Sequence, residues 1–362
     1  MLYLALPLRL EETSLTNTFI FKRWEHHSQH SGYDRLADYL GTRMPVIDYQ
    51  NRGKRIIPWQ VVNYFVGNRA GLTNYMHEAF YTELSAAIAL TKRRHSIFHF
   101  LYGDFDFRYT GFLNGLRGNH IVASFHLPPA QAKKLFHVTK HFNRLSAIFV
   151  VGKNQIPYFA QYADPKKIHW LPHGVDTNYF VPAPKRSCSK KKRILFVGRH
   201  MRDINTLIQV IHLFRESTRQ VDFSIVAGKD PEWHSVSQFD NVEFLSGIPE
   251  EHLLSLYQST DLLLLPLIDA TANNSLLEAL SCGLPAVVTN MEGIRDYSDS
   301  TCSMFCPPKD AQAMYTAACE LLENENRREE LSAASRNKAL EFSWEITVEK
   351  LRGIYASLSP VD

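Results

Sequence analysis

The chain has 362 residues, enough for two domains of ordinary size. Apolar residues make up 45% and charged residues 21%, the balance of a globular protein, and a net charge of +3 with 16 neutral histidines is too small for a nucleic-acid-binding chain. The strongest apolar run, Leu262 to Ile268, is far too short for a membrane span and contains Pro266.

In chain order, Met1 to Glu12 is ambiguous between a strand and an extra arm, and Phe19 to Phe21 belongs to a first strand. Gly32 to Leu40 has the pattern of the helix after it. Ser96 to Leu101, His120 to Phe125, Ala147 to Val151 and Ile168 to Leu171 are short runs of strand type, and His99, inside its own strand, reads as a packed structural residue. Val181 to Arg193 combines Pro182 and Pro184 with Lys185, Arg186 and the basic run Lys190 to Arg193, and its near lack of apolar residues marks a linker. The lysine run reads as a solvated hinge or, alternatively, as a patch for anionic lipid headgroups.

Beyond the linker the pattern is clearer. Arg193 to Val197 is a short strand ending at Gly198, Thr206 to Phe214 has helical periodicity, and Val221 to Ala227 is a strand closing at Gly228. Val242 to Leu245 is a strand before Gly247, and Pro249 opens a helical pattern through Tyr257. Leu262 to Leu265 is continuously apolar, as a strand buried on both faces must be. Ala286 to Thr289 is a further strand, and Ala311 to Leu358 is nearly all helical in pattern. Strands and helices alternating at this spacing imply parallel sheets covered by helices.

The five cysteines, Cys188, Cys282, Cys302, Cys306 and Cys319, are odd in number and follow no zinc or disulfide framework, so they read as reduced cytosolic thiols. Leu2 to Leu8 is apolar, but no basic segment precedes it and no small-residue cleavage site follows. A cytoplasmic protein is expected, with a peripheral place at the cytoplasmic membrane face left open.

Asn273 to Val288 is the most informative stretch. Short polar side chains open a helix, Glu278 lies about a turn inside it, and Gly283-Leu284-Pro285 stops it before a strand. The first amides of such a helix lack intrahelical acceptors and favour anions, while a carboxylate beside them can accept two hydrogen bonds from a ribose diol. A second reading is structural. Ser275-x-x-Glu278 fits a capping box, which would explain both residues without a ligand.

Several motifs share one family resemblance. Val197-Gly198-Arg199, Gly247 before a Pro-Glu-Glu helix, Leu277 to Pro285 and Glu292-Gly293-Ile294-Arg295-Asp296 resemble the donor domain of the large retaining glycosyltransferase family 4, the glycosyl transferases group 1. Pro172-His173-Gly174-Val175-Asp176 and Ser31-Gly32-Tyr33-Asp34-Arg35-Leu36 resemble its signatures in the other half. The resemblance implies the GT-B fold, two doubly wound Rossmann-like domains facing across a cleft: residues 1–182 for the acceptor, a linker at 183–192, and residues 193–342 for the donor, with a last helix at about 343–362 packing back on the first. It implies a hexosyltransferase that takes a UDP- or GDP-linked sugar to a saccharide or lipid-linked acceptor with retention, without cofactor or metal ion. Nucleic acid is not an expected partner.

Carried over residue by residue, the resemblance puts Arg199 and Arg202 at the diphosphate, although the loop at Arg202 is one residue short of the family's. Guanidinium forks suit phosphate oxygens. Gly32, Gly198, Ile248, Thr271, Asn273, Asn274, Ser275, Leu276 and Glu278 fall around the donor, with Glu278 at the ribose. His126, at a strand's C-terminal end, falls at the reaction centre, or is satisfied by backbone in a proline-bounded loop. Tyr33, Asp34, Asp104 and Asp106 are acceptor candidates, with interdomain surface as the alternative for the first two. His26, His27 and His30 read as a polar loop near acceptor or diphosphate rather than a metal site, and His173 positions the turn before the linker.

The chain departs from the family once. The usual pattern has a second glutamate ahead of Glu278, and Ala270 occupies that position. The sugar-holding role therefore falls to neutral groups at Thr271, Asn273 and Asn274. A non-hydrolysing sugar-nucleotide epimerase and a catalytically silent sugar-nucleotide binder are the rival readings. A dinucleotide oxidoreductase lacks its Gly-x-Gly-x-x-Gly after a strand.

Overall fold

A computed structural model describes residues 16–20, 29–40, 42–43, 58–65, 77–184 and 191–358. Strands β1 (Thr16–Ile20), β2 (Thr42–Arg43), β3 (Ser96–Phe100), β4 (His120–Phe125), β5 (Ala147–Val150) and β6 (Ile168–Trp170) form one sheet in the order β2-β1-β3-β4-β5-β6, parallel throughout. Strands β7 (Lys192–Val197), β8 (Val221–Val226), β9 (Val242–Leu245), β10 (Leu262–Leu265), β11 (Ala286–Thr289) and β12 (Ser303–Cys306) form a second parallel sheet, ordered β12-β11-β10-β7-β8-β9. The four leucines of β10 are wholly buried, each contributing roughly 2 kcal/mol by the area it removes from water.

Helices α1 (Leu36–Leu40), α2 (Trp59–Phe65), α3 (His77–Lys92), α4 (Gly103–Asp106), α5 (Pro129–Leu135) and α6 (Ile156–Phe159) belong to the first half. The second half carries α7 (Ile204–Glu216), α8 (Glu250–Ser259), α9 (Asn274–Ser281), α10 (Glu292–Arg295), α11 (Ala311–Glu323), α12 (Glu325–Leu340) and α13 (Trp344–Ala356). Asp203, Asp310, Asn324 and Ser343 cap α7, α11, α12 and α13, each side chain accepting an orphan amide of the first turn.

α13 leaves the second sheet and packs on the first. Its Trp344, Val348, Leu351 and Tyr355 join Phe19, Tyr33, Ile97 and Phe149 in one core. Buried His99 is fixed there between the Tyr355 hydroxyl (2.6 Å) and Ser124 Oγ (2.7 Å), and burial pushes its pKa down to about 3, so it is neutral at physiological pH.

Each sheet has one place where the strand order reverses, between β1 and β3 in the first and between β7 and β10 in the second. In doubly wound sheets ligands collect beyond the carboxyl ends of strands at that reversal. The loops leaving β1, β3, β7 and β10 carry Ser31 and Gly32, Tyr102 to Asp104, Gly198 to Arg202, and Leu267 to Asn273 respectively.

Candidate active site

Gly32 (φ +100°) and Gly198 (φ +102°) lie in the left-handed region, where glycine meets no side-chain penalty. At Gly198 there is a second reason, because a Cβ would collide with the guanidinium of Arg202. That guanidinium is buried and turned into its own loop. Nε and Nη2 donate to the Val197 carbonyl, Nη1 to the His200 carbonyl, and Nη2 also to Ser275 Oγ at 3.1 Å. Burial lowers its pKa to about 10, so it stays charged at neutral pH. The sequence reading set Arg202 against a diphosphate. Here its hydrogens are largely spent on backbone carbonyls, and it acts as a charged brace under the start of α9. Arg199, by contrast, is exposed at the mouth, 3.8 Å from the exposed Asp230.

The capping box is not formed. α9 begins at Asn274, and its cap is Asn273, whose side chain accepts from the Leu276 amide at 3.1 Å. Ser275 lies inside the first turn and accepts from Arg202, which places Glu278 too deep to reach back to a cap amide. Leu276 is in the core with its amide taken, so it offers a ligand nothing directly. The amides of Asn274 and Ser275 have no intrahelical acceptor and form the free anion-favouring end of the helix.

Glu278 is buried, and its two oxygens are held by hydroxyls. Ser31 donates to Oε1 at 2.6 Å from the first half, and Tyr257 donates to Oε2 at 2.9 Å from the end of α8. Burial raises its pKa to about 7, against the lowering effect of those two bonds. Neither partner was named as a site residue from sequence. Nothing local to Ser31 signals a partner 247 positions away, and Tyr257 looked only like the apolar end of a helix.

The second cluster surrounds His126. Its Nε2 donates to the Leu101 carbonyl (2.7 Å), and its ring meets Tyr33 edge-on with centroids 4.6 Å apart. Its amide and that of Leu127 donate to Asp104, at 2.7 and 3.5 Å. Asp104 is buried, which raises its carboxyl to about 6 against those bonds. This corrects its reading as an acceptor ligand, since its oxygens hold the His126 loop. Tyr33 and Asp34 are 1% and 0% exposed, Tyr33 accepting from Ser124 and Asp34 from Tyr102, so neither offers a surface to an acceptor. Asp106 is half-buried at the end of α4, and Ile248 is half-buried before α8.

At the family's missing carboxylate, the halves touch through neutral groups. Asn154 Nδ2 donates to the Ala270 carbonyl (3.2 Å), and Thr271 Oγ1 donates to the His126 carbonyl (2.6 Å). Beside them the Lys153 amide donates to Asp296 Oδ2 (2.6 Å), and Tyr297 accepts from the His173 amide while donating to the Val151 carbonyl. His30 stacks on Tyr179 and contacts Asp176 Oδ2 at 2.7 Å through Nδ1, whereas His26 and His27 lie outside the described residues.

Residues 191–324 match the family described as Glycosyl transferases group 1. The chain carries a group 1 glycosyl transferase domain. That domain contains Gly198, Arg202, Ala270, α9 and Glu278. Among relatives, the D-inositol 3-phosphate glycosyltransferase of Corynebacterium aurimucosum is 24% identical over 225 residues, 55% of this chain and 53% of the relative. The MMP alpha-(1->4)-mannosyltransferase of Mycolicibacterium hassiacum is 22% identical over 200 residues, 53% of this chain and 48% of the relative. The chain thus spans about half the length of the curated relatives it matches. Two crystal structures cover the chain more fully. A glycosyltransferase from Rickettsia africae superposes with a TM-score of 0.67 at 14% identity, over 95% of this chain and 98% of its own. Anabaena HepE in complex with UDP and glucose superposes with a TM-score of 0.65 at 11% identity, over 95% and 100%. The group 1 domain and the sheet before it therefore share the GT-B fold of these glycosyltransferases.

Proposed function

We propose that the protein is a glycosyltransferase that moves a sugar from a nucleotide-diphosphate sugar to a saccharide or lipid-linked acceptor, with retention and without a metal ion. The observation that carries the proposal is the position of Glu278. It is a buried carboxylate in the cleft between two strand-order reversals, one turn inside a helix whose first amides are free, and its oxygens are held by hydroxyls. A ribose diol presents the same donors as Ser31 and Tyr257, so it can take the place of Ser31 without leaving the carboxylate unpaired. UDP in the HepE neighbour makes uridine donors the first to try.

The diphosphate would lie against the Asn274 and Ser275 amides, with Arg199 at its open side and the Arg202 charge behind Ser275. As the glycosidic bond loosens, negative charge grows on the leaving phosphate, and these fixed groups stabilise it more than the ground state. His126 lies on the opposite wall, where it orients the transferred sugar. Ala270 leaves that sugar to the neutral donors and acceptors of Asn154 and Thr271.

A thermal-shift and hydrolysis screen of chelator-treated protein across UDP-, GDP- and ADP-sugars tests this. A hundredfold excess over Kd stabilises by about 2.7 kcal/mol, a shift of a few degrees. The expected result is stabilisation by one nucleotide series, slow hydrolysis, and transfer once an acceptor is supplied. Stabilisation by none contradicts the proposal. Binding without turnover over a broad acceptor set indicates a silent binder, and an epimeric donor formed without acceptor indicates an epimerase.

A further inference from the structure

The loops entering β3, β4, β5 and β6 converge on one edge of the first sheet, at the strand ends away from the cleft. Residues 91–95, 110–119, 133–146 and 164–167 form or approach this edge. They hold ten lysines and arginines and a single acid, Asp164, so the rest of the chain carries thirty basic and thirty-six acidic side chains. The small overall charge conceals a basic pole.

The pole is stitched together. The His95 amide donates to the Arg117 carbonyl (3.2 Å), Ser146 Oγ donates to Asn114 Oδ1 (3.0 Å), and Lys167 Nζ donates to the Asn143 carbonyl (3.1 Å). Exposed apolar tips stand among the cations. Phe112 is 66% exposed with the Arg144 guanidinium 3.2 Å over its ring, Val138 is 42% exposed and Leu116 is 36% exposed. Lys92, Arg94, Arg117 and Lys140 are exposed around them.

We propose that this edge docks on an anionic lipid bilayer. Clustered lysine and arginine are drawn to anionic headgroups, and isolated aromatic and aliphatic tips gain by entering the headgroup layer. A nucleic-acid surface would use the same charge but would give Phe112, Val138 and Leu116 no apolar layer to enter. The linker lysines are the weaker candidate, because Lys191 pairs with Asp222 (2.7 Å) and Lys192 with Asp261 (3.3 Å). Docking does not depend on the transferase reading, but its consequence does. The six residues of β4 separate this edge from His126 by roughly 20 Å, so an acceptor anchored in the same bilayer must present its reactive end at least that far out.

Vesicle flotation with the full chain tests the proposal, comparing phosphatidylcholine alone with phosphatidylcholine containing one-third phosphatidylglycerol. The expected result is roughly tenfold stronger binding to the anionic vesicles, weakened by salt. R94E/R117E/K140E and, separately, F112S/V138S should lower it by roughly tenfold at unchanged melting temperature, while K191E/K192E should leave most of it. Equal binding to both vesicles, no binding, undiminished binding by a folded pole variant, or preferential retention on duplex RNA would overturn the proposal. The wild-type comparison decides alone if a variant does not fold. Nucleotide-sugar stabilisation, read in parallel, keeps this outcome separate from that of the transferase reading.

Discussion

Ser31, on the loop after β1, donates a 2.6 Å hydrogen bond to Glu278 Oε1 in the helix that follows β10. The bond joins the strand-order reversals of the two sheets, and it occupies the carboxylate oxygen a donor ribose would use.

Ser31→Ala should therefore separate stability from binding. Losing one such bond costs about 1 kcal/mol of stability, since Glu278 keeps Tyr257. Nucleotide-sugar affinity should hold or rise a few-fold, because the ribose no longer displaces the serine; calorimetric titration beside thermal melts reads both.

Glu278 makes stability depend on pH. Burial raises it to about 7 from an unfolded value of 4.5, so between these values the folded chain keeps a proton the unfolded chain has lost. Its contribution is fully present below about pH 4.5 and is lost as pH rises towards 7, at up to ~1.4 kcal/mol per pH unit. Glu278→Gln lacks this dependence, so wild-type stability relative to the variant should fall over that window in denaturant titrations. Wild-type donor affinity should rise through about pH 7 as the carboxylate ionises.

Much of the second sheet was legible because β10 and Ala286–Val288 of β11 are uninterrupted apolar runs set against Pro266 and Pro285, and β9 stops just before Gly247. β12 was not, since Ser303 and Cys306 give it no strand pattern, and the two residues of β2 are too short for any period. α3, at His77–Lys92, has neither glycine nor proline at its ends to mark it. At the site, sequence singles out Glu278 but does not show which groups surround it. Asn273 and Ser275 are both good caps, and which one closes the helix depends on Arg202 claiming the Ser275 hydroxyl. Burial likewise reassigns Asp104 and Tyr33, whose local sequence is indistinguishable from that of a ligand-binding loop.

Asp104→Asn should act through position. The amide can accept at one oxygen, while its NH2 would face an amide donor in the His126 loop. A shift of the loop by about 1 Å can cost roughly 100-fold in turnover. Turnover should fall with donor affinity unchanged, and single-turnover kinetics beside equilibrium binding would distinguish this from simple unfolding.

Gly198→Ala should destabilise by roughly 2 kcal/mol, from a left-handed backbone and displacement of the Arg202 guanidinium. Denaturant unfolding measures the loss. An unchanged midpoint would mean that the Arg202 brace is dispensable.

The most direct measurement is calorimetric titration of UDP-, GDP- and ADP-sugars into wild type and Glu278→Gln at a pH above the carboxyl's titration. Wild type should bind one nucleotide series, and the folded variant should bind it roughly tenfold more weakly, about 1.4 kcal/mol. No binding by wild type, or equal affinity for both proteins, would contradict a nucleotide-sugar site built on Glu278.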